Sequence, residues 1–497
     1  MTKPKIFTVL TAIAPLFLVP LSGCTTNPAT GESVFTGGMT TAQEISIGRE
    51  QHPQIIKSFG GEYGSPELRR YIDSIGQLLA RTVERRGFKY KFTVLNSGIV
   101  NAFALPGGYI YISRGLLALA ENEAEVAGVL AHELGHVNAL HHGRRQGHQT
   151  IAGLLIAGAS IAASATGVPG TNQIGQLGGA VAQSVLSSYS REHELESDSL
   201  ALRYMSRAGY DPNAMVDFLK KMRGQAQLDA RRSGQSAAKV DSTNYLATHP
   251  APIERVRRAA AQATKYRVNR PMLARDIYLK KINGIIYGDD PDQGLIRGRT
   301  FIHPKLRFRF DVPDKFQLFN SPTQVRAVGP DGATIIFDGA PKPSDGPVSY
   351  YVSKVWAKNA RLGGLETLYI HGLESATATA RVNSKGGAID ARLLAIRKDL
   401  QTIYRFVFLT KPGQAGRWAT PFRRTSHSFR TLSNAEAAAI KPLRIRTRTV
   451  RRGDTVASLA RRMASKDGYA LDRFLVINGL EKNSRLRPGQ LVKLIID

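Results

Sequence analysis

The sequence predicts an α+β multidomain chain: a mostly α-helical first domain with a small sheet, then an antiparallel α+β domain, then a compact βααβ unit. Three observations predict it. At 497 residues the chain exceeds what one hydrophobic core organises, which points to about two to four domains. Apolar residues recur at helical spacing as far as about Ala263 and alternate in short runs from Phe301 to about Leu432. A composition of 42% hydrophobic and 22% charged residues is that of a folded globular protein and excludes wholesale disorder.

At the N-terminus, Lys3 and Lys5 precede an apolar run from Ile6 to Pro20, followed by Leu21-Ser22-Gly23-Cys24. Basic residues, a short apolar stretch and then small residues read as an export signal, too short to span a membrane. Cys24 is the single cysteine, which excludes an intramolecular disulfide and leaves no other thiol for catalysis or metal. Leu-Ser-Gly-Cys resembles the bacterial lipobox. That resemblance implies cleavage before Cys24, lipid attachment to it and, with Thr25 next, passage to the outer membrane. Residues 1–24 are therefore expected as a lipoprotein signal, and 25–40, rich in Gly, Thr, Asn and Pro, as a tether.

A first domain is expected over 41–265. Thr41 to Phe59 reads as helix, and Pro66 to Arg85 repeats apolar residues at helical spacing. Lys89 to Leu95 and Ala102 to Ser113 alternate as strands, the second run interrupted by a Pro106-Gly107-Gly108 turn. Asn122 to His142 is a helix with acids near its start. Thr150 to Ser190 carries no charge and is rich in Ala, Gly and Ser; it reads as a buried or flexible helical hairpin, with membrane contact as the alternative. Helices from Glu192 to about Ala263 complete the domain. Residues 266–297 are expected as a helical linker, 298–433 as an accessory α+β domain, 434–444 as a second linker and 445–497 as the terminal unit.

Chemistry concentrates in His132-Glu133-Leu134-Gly135-His136. Residues four apart on a helix are about 40° apart in net rotation, so both imidazoles reach one cation. Glu133, about 100° round the same turn, can touch a metal-bound water without displacing it. This is the pattern of a metalloprotease helix, and a merely solvated polar face is disfavoured by the apolar flanks. Zinc also needs a third protein ligand with one position left open. Glu194 and Asp198, four apart on a later helix, offer a ligand and an acid that orients a ligand histidine. His141 and His142 lie beyond the ligand face, which assigns them packing or surface roles, and His193 points elsewhere.

These residues resemble the gluzincin family of HtpX and the CAAX prenyl proteases, in its soluble periplasmic branch. The likeness spans about Thr41 to Ala263 and takes in Asn101 to Gly108, Asn122 to Glu125, His132 to Val137, and Ser190-Arg191 with Glu194, Glu196 and Asp198. It implies a zincin protease fold, one Zn2+ held by His132, His136 and Glu194, Glu133 as general base, and Asp198 as the orienting acid. Ser197 stands where the family usually has Ala. A His-Pro pair followed by Arg, here His249-Pro250 and Arg255, admits two readings. His249 steadies the oxyanion or latches the open zinc position, with Arg255 holding it or the substrate; or the pair caps and begins a helix. The implied reaction is peptide hydrolysis, in which Glu133 takes a proton from zinc-activated water and returns it to the leaving amine. Asn101, Ala102, Phe103 and Ala104 resemble the edge strand on which such enzymes lay substrate as an added strand. Pairing of that kind reads extension, so unfolded or misassembled envelope proteins are the expected substrates.

Thr449 to Ala460, Phe474 to Gly479 and Leu486 to Val492 resemble a LysM module, which binds N-acetylglucosamine polymers; Thr449 replaces the usual aromatic. A net charge of +29 calls for a polyanion, and peptidoglycan and the lipid surface both qualify. Nucleic acid is not expected as a partner, because no helix-turn-helix, zinc finger or aromatic RNA-binding signature occurs. The competing expectation is a peptidoglycan-binding lipoprotein or a hydrolase of peptidoglycan peptides. Location in the periplasm, lipid-anchored at Cys24, serves either.

Overall fold

The structure is a computed structural model and describes residues 23–146, 189–232, 236–241, 249, 253–340, 346–384, 387–464 and 467–497. The apolar run of the signal and all but the last two residues of the uncharged 150–190 segment lie outside them. Among the described residues, no helix is long and apolar enough to cross a membrane.

Cys24–Thr26 (β1) and Ser33–Phe35 (β2) pair as an antiparallel hairpin, where composition predicts a tether. Asn27, Ala29 and Val34 are buried, and Arg203 donates to the Ala29 carbonyl at 2.9 Å. Turn-forming residues make a hairpin as readily as a linker once a docking surface satisfies their backbone groups.

Thr41–Ser58 (α1) begins at a capping box of Thr40 and Gln43, and Pro66–Ala80 (α2) at Ser65 with proline in the first turn. Lys91–Leu95 (β3), Ala102–Leu105 (β4) and Tyr109–Ser113 (β5) form a sheet of order β3-β5-β4, with β3 parallel and β4 antiparallel to β5. The intervening turn needs its glycines: Gly107 and Gly108 have φ of +81° and +86°, and a Cβ on Gly107 would stand 2.8 Å from the Glu44 carbonyl.

Arg114–Leu119 (α3) leads to Glu123–Asn138 (α4). Asn122 caps α4, accepting from the Glu125 amide at 2.8 Å, and acids in the first turn favour the helix dipole. Every residue of α4 from Ala124 to Asn138 is buried, which makes it the central helix of the domain. Arg191–Arg207 (α5), Asn213–Arg232 (α6), Ile253–Ala263 (α7) and Arg275–Lys281 (α8) follow. Although α8 falls in the expected linker, Tyr278 and Leu279 are buried in the first core, and the Tyr278 hydroxyl donates to the Leu117 carbonyl at 2.6 Å.

The middle region is antiparallel, as the alternation predicts. A four-stranded sheet contains Leu295–Arg297 (β6), Thr300–His303 (β7), Phe308–Asp311 (β8) and a short strand at Arg430–Thr431. A seven-stranded sheet spans strands from Gln317–Asn320 to Thr402–Thr410. Phe308, Phe310, Phe337, Phe406, Phe408 and Trp418 fill the core between these sheets and the helix Ala415–Ser428.

The chain ends as the expected βααβ unit: Arg444–Thr449 pairs antiparallel with Leu491–Ile496 around helices Val456–Ala460 and Ala470–Ile477. This unit does not stand apart. Phe474, Leu475 and Val492 share one apolar cluster with Leu117 and Leu219 of the first domain. Lys493 Nζ donates to the carbonyls of Ala118, Leu119 and Ala120 at 2.9, 3.0 and 2.5 Å, closing the C-terminus of α3.

Candidate metal centre

His132 and His136 leave α4 one turn apart, and their Nε2 atoms approach to 3.0 Å. α5 crosses α4 closely because Gly135 faces it: a Cβ there would stand 2.5 Å from Ser197 Oγ. Ser197, the departure from the family pattern, donates to the His132 carbonyl and ties the two helices together. That contact sets Glu194 beside both imidazoles, its Oε2 3.5 Å from His132 Nε2 and its Oε1 3.5 Å from His136 Nε2.

His249 closes the group. Its Nδ1 lies 2.8 Å from Glu194 Oε1 and 3.3 Å from His132 Nε2, and its Nε2 lies 3.4 Å from Glu133 Oε1. His132, His136, Glu194 and His249 are all buried, each offering one ligand atom within 4.8 Å of the others. Glu133 Oε2 is buried with no hydrogen-bond partner among the described residues. Imidazole lone pairs that converge with a carboxylate leave a surplus of acceptors, and a dication satisfies them; nitrogen and oxygen donors of this kind fit Zn2+.

Each of the two α4 histidines is held from behind. His132 Nδ1 lies 2.9 Å from Asp198 Oδ1. Arg255 grips Asp198 in a fork at 2.9 and 2.7 Å and reaches Glu194 Oε2 at 2.6 Å. The sequence places Arg255 beside His249 or the substrate; in the structure it pairs with both acids, one of which, Glu194, also meets His249, since a buried guanidinium in the first turn of α7 requires carboxylates. His136 Nδ1 lies 2.7 Å from His141 Nδ1, whose Nε2 lies 3.1 Å from Glu196 Oε2. His141 is wholly buried, so of the two expected roles, packing and surface, burial is at odds with the second alone. Helical rotation misplaces it because α4 ends at Asn138 and Leu140, with φ of +60°, turns the chain back. His193 stacks on His141 with ring centres 4.2 Å apart, and Tyr189 stacks on His136 at 3.9 Å.

Residues 66–263 match Peptidase family M48, and residues 449–494 match the LysM domain. The chain carries an M48 peptidase domain and a C-terminal LysM domain. It is 28% identical over 259 residues to the beta-barrel assembly-enhancing protease of Escherichia coli (strain K12), covering 49% of this chain and 50% of the relative. It is 28% identical over 223 residues to the mitochondrial metalloendopeptidase OMA1 of Schizosaccharomyces pombe, covering 43% and 60%. The OMA1 of Saccharomyces cerevisiae is 31% identical over 172 residues, covering 34% and 46%. The chain thus spans about half the length of the curated relatives it matches.

Within the M48 domain the electrostatics favour a cation at the cluster. Burial opposes charge on His132, but its hydrogen bonds to the carboxylates of Asp198 and Glu194 overcome it and raise the imidazole to about 9. The field that holds a proton there equally favours a metal ion. Burial holds His136 well below the usual histidine value, so it presents a neutral lone pair. Burial also opposes ionisation of Glu194, yet His249 and Arg255 hold it well below the carboxylate range. Glu133 is raised by burial, against the pull of His249 and His132, in the direction a general base requires.

Beside the cluster, β4 lies at the edge of the M48 sheet among the described residues, with Ala102, Phe103 and Ala104 buried and Asn101 half-buried just before it. His142 bonds to the Ala104 backbone and sits 2.8 Å from the Tyr189 hydroxyl. Cys24 is exposed at the start of β1.

Proposed function

We propose that the chain is a zinc-dependent metalloendopeptidase of the bacterial cell envelope that cleaves unfolded or misassembled envelope proteins. The observation that carries this reading is the convergence of His132, His136, Glu194 and His249 in one buried cluster with Glu133 turned toward it. The M48 match and the metalloendopeptidase and protease names of the relatives support it.

His132, His136 and Glu194 would hold the Zn2+, which supplies Lewis-acid activation of water and of the scissile carbonyl. Glu133 accepts the proton of the attacking water and delivers it to the leaving amine; its buried, partnerless Oε2 is the atom for that transfer. Asp198 fixes His132 with Nε2 facing inward, and Arg255 keeps Asp198 and Glu194 ionised together. An extended peptide added along Asn101 to Ala104 lies next to α4 and brings a carbonyl toward Glu133.

With Zn2+ bound, His249 would stand where water and substrate enter, and the resting arrangement would be latched. Cys24 attaches lipid and holds the enzyme in the periplasm at the outer membrane, while the LysM domain supplies a contact to peptidoglycan; its match supports wall binding.

Hydrolysis of unfolded casein by the full-length chain tests the activity. Glu133→Gln is expected to lower the rate by about 10²–10⁴-fold, and His249→Ala to raise it by opening the latch. Equal rates for wild type and Glu133→Gln would sink the proposal, and a rate unchanged by His249→Ala would remove the latch.

A further inference from the structure

The two ligand histidines are oriented by different devices. Asp198 meets His132 directly, whereas His136 is reached through a second imidazole. If His136 presents Nε2 to a metal, its Nδ1 carries hydrogen and donates to His141 Nδ1 at 2.7 Å. His141 then carries hydrogen on Nε2 and donates to Glu196 Oε2 at 3.1 Å. One tautomer satisfies the whole series, with each nitrogen used once.

Glu196 is in turn fixed from two sides. Arg144 Nη1 donates to its Oε2 at 2.7 Å, and Asn27 Nδ2 donates to its Oε1 at 2.8 Å. Asn27 is fully buried at the turn of the β1–β2 hairpin. Its Oδ1 accepts from the Ala29 amide at 3.0 Å and its backbone amide donates to the Glu32 carbonyl at 2.7 Å, so the side-chain NH2 is left to face Glu196. Arg203 and Thr36 complete the docking: Arg203 bonds the Ala29 carbonyl, and Thr36 lies against Gly143, where a Cβ would stand 3.1 Å from Thr36 Cβ.

We infer that His141, Glu196 and Asn27 are positioning residues for the metal centre, through which the N-terminal hairpin sets the orientation of His136. The inference rests on the assignment of His132, His136 and Glu194 as zinc ligands. Its consequence is that the residues directly after Cys24 belong to the architecture of the metal centre: displacement of the hairpin leaves Glu196 fixed by Arg144 alone, loosens His141 and weakens the metal site without touching a ligand.

The test is zinc affinity of the full-length chain by competition with a chromogenic chelator, together with the visible spectrum of the Co2+-substituted protein. His141→Phe keeps the ring that stacks on His193 but removes both nitrogens. It is expected to weaken zinc binding by about 10–100-fold and to shift the Co2+ bands. Asn27→Ala weakens zinc by a smaller factor, and by none in the His141→Phe background, because the hairpin acts through His141. Glu196→Gln, which keeps shape but loses charge, falls between them. Zinc affinity and Co2+ bands for His141→Phe matching wild type overturn the relay, as does an equal Asn27→Ala effect in both backgrounds. A wild type that binds no zinc instead overturns the ligand assignment, and the relay with it.

Discussion

At the scale of single residues, the centre buries three charged groups that depend on one another. Asp198, Glu194 and Arg255 are each nearly inaccessible, and the guanidinium pairs with both acids. Breaking such a buried set costs more than forming it gains, because the remaining charges are stranded. Arg255→Met is therefore expected to destabilise the metal-free protein by about 3–5 kcal/mol in denaturant unfolding, and to lower zinc retention through Asp198 and Glu194. Unchanged stability would show that the acids find another partner. The cluster residues of α4 and α5 were legible in the sequence because helical spacing pairs them: His132 with His136 on α4, and Glu194 with Asp198 on α5. His141 and Glu196 were not, since a left-handed Leu140 redirects the chain and the role of Glu196 depends on a contact across sequence distance.

Among the elements, hydrophobic period predicted helix and strand where one face meets a core, as in α2, β3 and β8. It failed for the hairpin of residues 24–35, whose burial depends on α5 and not on its own pattern. The same lack of local signal hides His303 on β7, buried in an aromatic setting. Burial, with Lys305 and Lys398 acting against Asp292, lowers His303 to about 4. The folded state then binds fewer protons than the unfolded chain between its ordinary value of 6.5 and about 4, so stability contributed by neutral His303 is complete above 6.5 and lost as pH falls toward 4. Both tryptophans, Trp356 and Trp418, lie in this middle region and report its unfolding selectively. The fluorescence midpoint in urea should fall between pH 7 and pH 5 in wild type, with a flatter fall in His303→Leu. An identical slope in the two proteins would exclude His303 as the source.

For the whole molecule, periodicity and motifs separated the chain into peptidase, middle and LysM regions but gave no sign of how the last meets the first. Complementary apolar faces on two units are invisible in either sequence pattern alone, and Lys493 reads as an ordinary strand lysine until its ammonium is found on three carbonyls of the peptidase domain. Lys493→Met keeps the length and leaves those carbonyls unpaired, at a cost of about 1–3 kcal/mol. It should lower the far-UV unfolding midpoint of the helical domain while the tryptophan transition of the middle region stays in place. Coincident shifts of both, or of neither, would contradict a docked LysM unit that supports the peptidase core. The central claim is that His132, His136 and Glu194 hold a zinc ion on which Glu133 acts as the base. Zinc content and casein hydrolysis measured side by side on wild type, Glu133→Gln and Glu194→Ala test it most directly. The account predicts one zinc in wild type and Glu133→Gln, little in Glu194→Ala, and hydrolysis by wild type alone; full hydrolysis by either variant would contradict it.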